Sequence, residues 1–336
     1  MEKWFLVVFL FIPLILFSNY GDGSPGDSNI QYLGRWDKSN SQAYHSYWGG
    51  AYLKARFSGK TVQLNLGKAV NIYVNIDNTG FKLYRAEPGI LNLTPESLDD
   101  QVHQLMVVAS YANDEILFKG LILDKGATTL AQPQKELIEF IGNSITSGQH
   151  TTYKNLSAYS WITGENLEVN HTQISYPGIT LTDGYHYTGD WASKKGQEFQ
   201  YFSAKSPGHQ DCPKWDFSKY TPKIVVINLG TNDHNLKVPN SVFEETYYQF
   251  LKNIRDEFPE TFIVAMGTLG GFYIKETKNA VVRFSESLDS HIQFIDTTGW
   301  LLPSQDFVDT NHPNDQGHLK IAKKLAPILN QYLVKN

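Results

Sequence analysis

The chain has 336 residues, of which 41% are hydrophobic and 19% charged, a globular rather than a disordered balance. A net charge of -5 and a pI near 6.1 leave no basic surplus, so no nucleic-acid partner is expected. The single cysteine, Cys212, excludes an intrachain disulfide.

Residues 1–20 read as a signal peptide. Lys3 is followed by an unbroken apolar run from Trp4 to Phe17, then by Ser18, Asn19 and Gly21. That run is about 14 residues, the length of a signal core, whereas a spanning helix needs about 20. A secreted or periplasmic protein is expected, with no membrane contact beyond this segment. Sequons at Asn92, Asn155 and Asn170 matter only in a host that glycosylates.

Residues 28–130 are expected to form an all-β sandwich of jelly-roll type. Ala51 to Phe57, Thr61 to Leu66 and Val70 to Ile76 alternate apolar and polar residues. Phe81 to Arg85, His103 to Tyr111 and Ile116 to Leu123 continue the series. Turn-formers separate these runs, as at Ser58-Gly59-Lys60 and Asp77-Asn78-Thr79-Gly80. Short alternating strands at this spacing predict two packed antiparallel sheets.

Residues 135–336 change period. Apolar runs at Leu137 to Ile141, Ile224 to Leu229, Phe262 to Met266 and Ile292 to Ile295 alternate with helical patterns. A parallel sheet between two helical layers follows. The helices are predicted around Phe243 to Phe258, from Glu276 to Leu288, and from Asp315 to Leu333 with Asn314 as N-cap.

Three motifs fall at the carboxyl ends of these strands, where open α/β sheets bind ligands. Ile141-Gly142-Asn143-Ser144 follows the first strand. Its serine suits a nucleophile exposed at the sheet edge and entering a helix whose N-terminus would favour an oxyanion. Taken alone, the motif is better accounted for by a helix N-cap serine. Gly230-Thr231-Asn232-Asp233 offers an amide donor, or an Asx-turn. Asp309-Thr310-Asn311-His312 places an acid three residues before a histidine, as a base and its orienting partner require. His312 with His318 would be a metal pair, but their spacing matches no strong zinc motif. No metal and no cofactor are expected.

Together these motifs resemble the SGNH, or GDSL-type, hydrolase superfamily. The resemblance implies Ser144 as nucleophile, His312 as base and Asp309 as the acid that completes the triad. It also implies an oxyanion hole of the Ser144 and Gly178 backbone N–H groups and the Asn232 amide. Gly178 is matched through Ile174-Ser175-Tyr176-Pro177-Gly178. Here the family's usual Ser-Gly-x-Gly is replaced by Pro177-Gly178-Ile179-Thr180.

The sandwich ahead of such a domain resembles carbohydrate esterase family two. Gly34-Arg35-Trp36-Asp37, Trp48-Gly49-Gly50-Ala51-Tyr52 and Trp215-Asp216-Phe217-Ser218-Lys219-Tyr220 carry that likeness. It implies a metal-free carboxylic ester hydrolase that removes O-acetyl groups from polysaccharides such as acetylxylan or acetylated glucomannan. The long aromatic segment from Asp183 to Ser218 reads either as part of the substrate cleft, with Tyr185, Trp191 and Trp215 as candidate sugar contacts, or as aromatics that pack the loop onto the domain. Two alternatives stand beside this reading. One is a lipase or lysophospholipase acting on lipid esters. The other is a non-catalytic glycan-binding protein.

Overall fold

The computed structural model describes residues 21–333, so the expected signal peptide lies outside the described residues. The first domain is built from β1 (Gln31–Leu33), β2 (Trp36–Asp37), β3 (Tyr44–Ser46), β4 (Tyr52–Gly59), β5 (Val62–Leu66), β6 (Val70–Ile76), β7 (Lys82–Ala86), β8 (Gly89–Asn92), β9 (Gln101–Ala109), β10 (Leu117–Leu123) and β11 (Thr129–Leu130). One antiparallel sheet runs β1-β4-β9-β6-β7, with β11 also on β4, and the other runs β2-β3-β10-β5-β8. Alternation explains the packing. Leu53, Ala55 and Phe57 from one sheet meet Val62, Leu64, Leu66 and Phe118 from the other in a single core.

A parallel sheet follows, with β12 (Leu137–Gly142), β13 (Asn170–Ser175), β14 (Ile224–Asn228), β15 (Phe262–Met266) and β16 (Ile292–Ile295). Its order is β13-β12-β14-β15-β16. The helices are α1 (Tyr159–Asn166), α2 (Gln197–Gln200), α3 (Thr231–Asn235), α4 (Asn240–Glu257), α5 (Ile274–Ser287), α6 (Pro303–Asp306) and α7 (Asp315–Leu329). Successive strand residues point to opposite faces, so Ile224 and Val226 pack with Tyr159 of α1 and Ile321 and Leu325 of α7. Val225 and Ile227 pack with Phe243, Tyr247 and Phe250 of α4 and Phe284 of α5. The expected two-domain architecture is what the chain adopts. Among the described residues, no helix is long and apolar enough to cross a membrane.

The segment after Ser144 departs from expectation, because no regular helix starts there. Residues 143–150 form a chain of turns, and helix begins only with a short 3-10 turn at Lys154–Ser157 followed by α1. Asn143 explains part of this: its buried side chain accepts from Ile145 N at 3.0 Å, closing a turn two residues wide. Gly148 adopts φ +68° where a Cβ would meet the Lys154 carbonyl, which turns the chain away.

The two domains share buried contacts. Arg35 of the sandwich is fully buried. Its Nη1 donates to the carbonyls of Tyr201 and Ser203, and its guanidinium lies 4.7 Å from the Tyr201 ring centroid. Of the three sequons, Asn155 and Asn170 are buried and Asn92 alone is exposed.

Candidate active site

The site forms where the sheet order reverses, between β12 and its neighbours β13 and β14. The loops leaving these three strands diverge there and open a cavity. Ser144 follows β12, Gly178 follows β13 and Asn232 lies in α3 after β14. Gly142 permits the tight exit from β12, since a Cβ there would sit 2.0 Å from Thr146 Oγ1.

His312 arrives from the loop before α7, whose N-cap is Asn314 as expected: its side chain accepts from Gly317 N. Nε2 of His312 lies 2.9 Å from Ser144 Oγ. On the other side of the ring, Nδ1 lies 2.8 Å from Oδ2 of Asp309. Oδ1 of Asp309 accepts from the backbone N–H of both Asn311 and His312 at 2.8 Å. Partial burial opposes ionisation of this carboxyl, but these backbone donors and the His312 ring together hold it below the usual carboxylate range. Asp309 is therefore anionic at neutral pH and fixes Nδ1 of the neutral ring as its N–H. Nε2 is left to accept from the serine.

Asn232 is held by two partners. Its Nδ2 donates to the Ile179 carbonyl at 2.8 Å, which leaves its second N–H for the cavity. Its Oδ1 accepts from the Tyr187 hydroxyl at 3.2 Å. That hydroxyl accepts in turn from Nδ2 of Asn235 at 3.2 Å, so the direction of the Asn232 amide is set.

Asp233 is a positioning residue that the motif alone did not reveal as one. It is fully buried, and its carboxylate accepts from Leu181 N and Thr182 N, each at 2.9 Å. Burial pushes its carboxyl above the ordinary range, against those backbone donors. Through Asp233 and Asn232, α3 grips the loop carrying Gly178 at three points. The signal was an acid next to the motif asparagine, but its partner loop lies about 50 residues away in sequence, beyond any local pattern.

The cavity is about 470 Å3. It is lined by Ser144, Gly178, Asn232 and His312, with Tyr187 and Trp191 on one wall. Tyr111 and Asn113 come from the sandwich turn after β9, so both domains face the cavity. The sequence reads Tyr111 as the end of an alternating run and Asn113 as a turn residue, and neither as part of a site.

Trp191 is 53% exposed and overhangs Gly178. Trp215 requires a correction. It is 7% exposed and packs against the Arg35 guanidinium beside Phe217, so its faces are not open to a sugar. Tyr185 packs partly buried against the same core, and it does not line the cavity. His318 is not paired with His312 either. It is buried with Nδ1 accepting from Tyr159 N at 3.0 Å, and burial drives its pKa down to about 3.

With this geometry in view, comparison with known proteins fixes the relationship. Residues 140–320 match the GDSL-like Lipase/Acylhydrolase family. The chain belongs to this family. Residues 32–133 match the Carbohydrate esterase 2 N-terminal family, so the sandwich is a recognised companion of the catalytic-type domain. The Cellulase/esterase CelE of Acetivibrio thermocellus is 27% identical over 340 residues, spanning 90% of this chain and 40% of that protein. An acetylxylan esterase / glucomannan deacetylase of Cellvibrio japonicus is 24% identical, spanning 60% of this chain and 58% of that protein. The chain thus covers less than two thirds of either relative.

Among solved structures, a family two carbohydrate esterase from Clostridium thermocellum in complex with cellohexaose superposes with a TM-score of 0.76 at 24% identity. That match spans 90% of this chain and 98% of the other. The acetyl xylan esterase Est2A of the rumen bacterium Butyrivibrio proteoclasticus gives 0.77 at 19% identity, over 90% and 95%. Likeness at these identities establishes a shared two-domain fold for this family member.

Proposed function

We propose that this chain is a secreted serine esterase that removes O-acetyl groups from plant cell-wall polysaccharides such as acetylxylan or acetylated glucomannan. The observation that carries the reading is the alignment of Asp309, His312 and Ser144. Successive contacts of 2.8 and 2.9 Å end at the wall of an open cavity. The names of the relatives supply the substrate class.

Ser144 Oγ attacks the acetyl carbonyl while Nε2 of His312 takes its proton. The sugar oxygen leaves with that proton, and the acetyl group stays on Ser144. Water, deprotonated by His312, then releases acetate. The backbone N–H groups of Ser144 and Gly178 and the free N–H of Asn232 stabilise the oxyanion in both steps. Trp191, exposed at the rim, offers a face on which a sugar ring stacks. The cavity is shared by both domains and is lined by the polar side chains of Asn113, Gln149 and Asn235 beside the rings of Tyr187 and Trp191, which suits a sugar better than a long lipid chain.

The test is acetate release from a panel of acetylated glycans, with p-nitrophenyl acetate and a long-chain ester beside it. Hydrolysis of acetyl esters that vanishes in Ser144→Ala is expected. Preference for the long-chain ester would support the lipase reading instead. Glycan binding without hydrolysis would leave a binding protein.

A further inference from the structure

A third ligand-type side chain reaches the outer face of the His312–Asp309 pair. Nε2 of His150 lies 3.8 Å from Oδ2 of Asp309, the oxygen that also faces Nδ1 of His312. One nitrogen from each ring and one carboxylate oxygen all lie within 4.8 Å of one another. The two rings meet edge to face with centroids 4.9 Å apart. His150 sits in the turn after Ser144 with a left-handed φ of +66°, a backbone state uncommon for histidine.

The protonation pattern makes this space electron-rich. Nε2 of Gln149 lies 3.1 Å from Nε2 of His150. An amide nitrogen only donates, so the histidine nitrogen accepts and carries a lone pair. Asp309 brings an anionic oxygen to the same space. Nε2 of His150 therefore has no proton to offer Asp309, and its one lone pair, held by the Gln149 N–H, is what a cation would take in that donor's place beside the carboxylate. Two imidazoles and one carboxylate form a familiar zinc ligand set, with a fourth position left to water. Tetrahedral zinc separates its ligand atoms by about 3.3 Å. The 3.8 Å and 2.8 Å contacts bracket that value, and His150 and Asp309 have the exposure to adjust.

We propose that His150, Asp309 and His312 form an inhibitory site for a divalent cation, with zinc as the ion that fits. In the working state Nδ1 of His312 holds the ring proton and Nε2 accepts from Ser144. A metal on Nδ1 uses that nitrogen's lone pair, so the ring proton relocates to Nε2, with none gained or lost. Nε2 then donates to Ser144 Oγ and can no longer take its proton. The inhibition rests on the hydrolase reading above; the binding does not.

The experiment is calorimetric titration of the full chain carrying Ser144→Ala, which retains all three ligands, with zinc chloride alone. One ion per chain is expected. Adding His150→Asn, a residue that tolerates a left-handed backbone, should weaken binding at least about tenfold, the smaller loss seen even for supporting partners of a metal ligand. In parallel, zinc should suppress ester hydrolysis by the unmodified chain and EDTA should restore it. His150→Asn should need at least about tenfold more zinc for half-inhibition of its own rate. No zinc uptake at millimolar concentration, or equal affinity with and without His150, would overturn the site. Zinc uptake that depends on His150 in a chain with no hydrolysis under any condition would uphold the site and remove the esterase reading.

Discussion

The Asn232 side chain donates to the Ile179 carbonyl at 2.8 Å, one residue beyond Gly178. Two of the proposed oxyanion donors therefore belong to one bonded unit that Asp233 fastens at Leu181 and Thr182. Prior fixing of donors is what makes such a hole effective, because no reorganisation is left for the moment of reaction. Asn232→Ala is expected to lower turnover about 100- to 1,000-fold, with a much smaller change in KM. Steady-state rates on an acetyl ester decide it. A change confined to KM would make Asn232 a ground-state contact.

Gly178 tests the same unit from its other side. Its φ is +75°, and a Cβ would lie 2.6 Å from Cζ3 of Trp191. Trp191 is exposed enough to yield, but the left-handed backbone still disfavours any Cβ by about 1–2 kcal/mol. Gly178→Ala should lose turnover and about that much stability in urea unfolding. Adding Trp191→Ala should not restore the rate. Full recovery in the double variant would assign the defect to the ring clash alone.

A pH effect on stability follows from His318. Its folded pKa is about 3, from burial first of all, against an ordinary value of 6.5. The unfolded chain therefore takes up this proton below 6.5, and the folded chain does so only near 3. Stability from this group is complete above 6.5 and falls as pH drops through that window. Buried His171 is shifted the same way and adds to the slope. Unfolding free energy at pH 5 should lie about 2 kcal/mol below its neutral value on account of His318. His318→Gln keeps an acceptor for the Tyr159 N–H and should flatten the slope. An unchanged slope would exclude His318 as its source.

Periodicity exposed most of the fold, for a physical reason. Val62, Leu64 and Leu66 must all face one core, and Ile224 to Ile227 must be apolar because helices cover both sides. It could not reveal β13. Asn170, His171, Thr172, Gln173 and Ser175 are polar yet buried. Several find distant partners: Lys54 donates to Asn170, Gln173 donates to the Thr146 carbonyl, and Ser147 pairs with Ser175. A buried strand this polar leaves no hydrophobic pattern, whether its side-chain atoms are held by tertiary contacts or, like Thr172 Oγ1 and Gln173 Oε1, have no partner among the described residues. The residues proposed as the triad were legible because each occupies a short motif. His150 was not, since nothing in its local sequence signals a partner about 160 residues away. Trp215 misled because the cation it covers, Arg35, comes from the other domain.

The two oxygens of Asp309 have different tasks, and that division makes Asp309→Asn more damaging than simple deletion. Oδ1 closes the turn by accepting from the backbone N–H of Asn311 and His312 and also lies 3.0 Å from Nδ1 of His312, while Oδ2 lies nearer that nitrogen, at 2.8 Å. An asparagine has one acceptor, and two backbone donors claim it. Its NH2 then takes the Oδ2 place, the nearer of the two to Nδ1, where a donor favours a ring whose Nδ1 accepts. The neutral ring carries its proton on Nε2 instead, facing Ser144 as a donor, and the base is lost. Asp309→Ala removes the acceptor but imposes no tautomer, so part of the population keeps Nε2 free. In a full triad the wrong tautomer costs on the order of 10,000-fold in turnover. Asp309→Asn is expected to cost at least about 100-fold at neutral pH, more than Asp309→Ala, beside an inactive His312→Ala. Near-neutral rates of the three variants, compared after each is shown to melt as a folded protein, decide the point. If Asp309→Asn loses less than about tenfold while His312→Ala is dead, the site is a Ser–His dyad, and Asp309 serves only to close the turn.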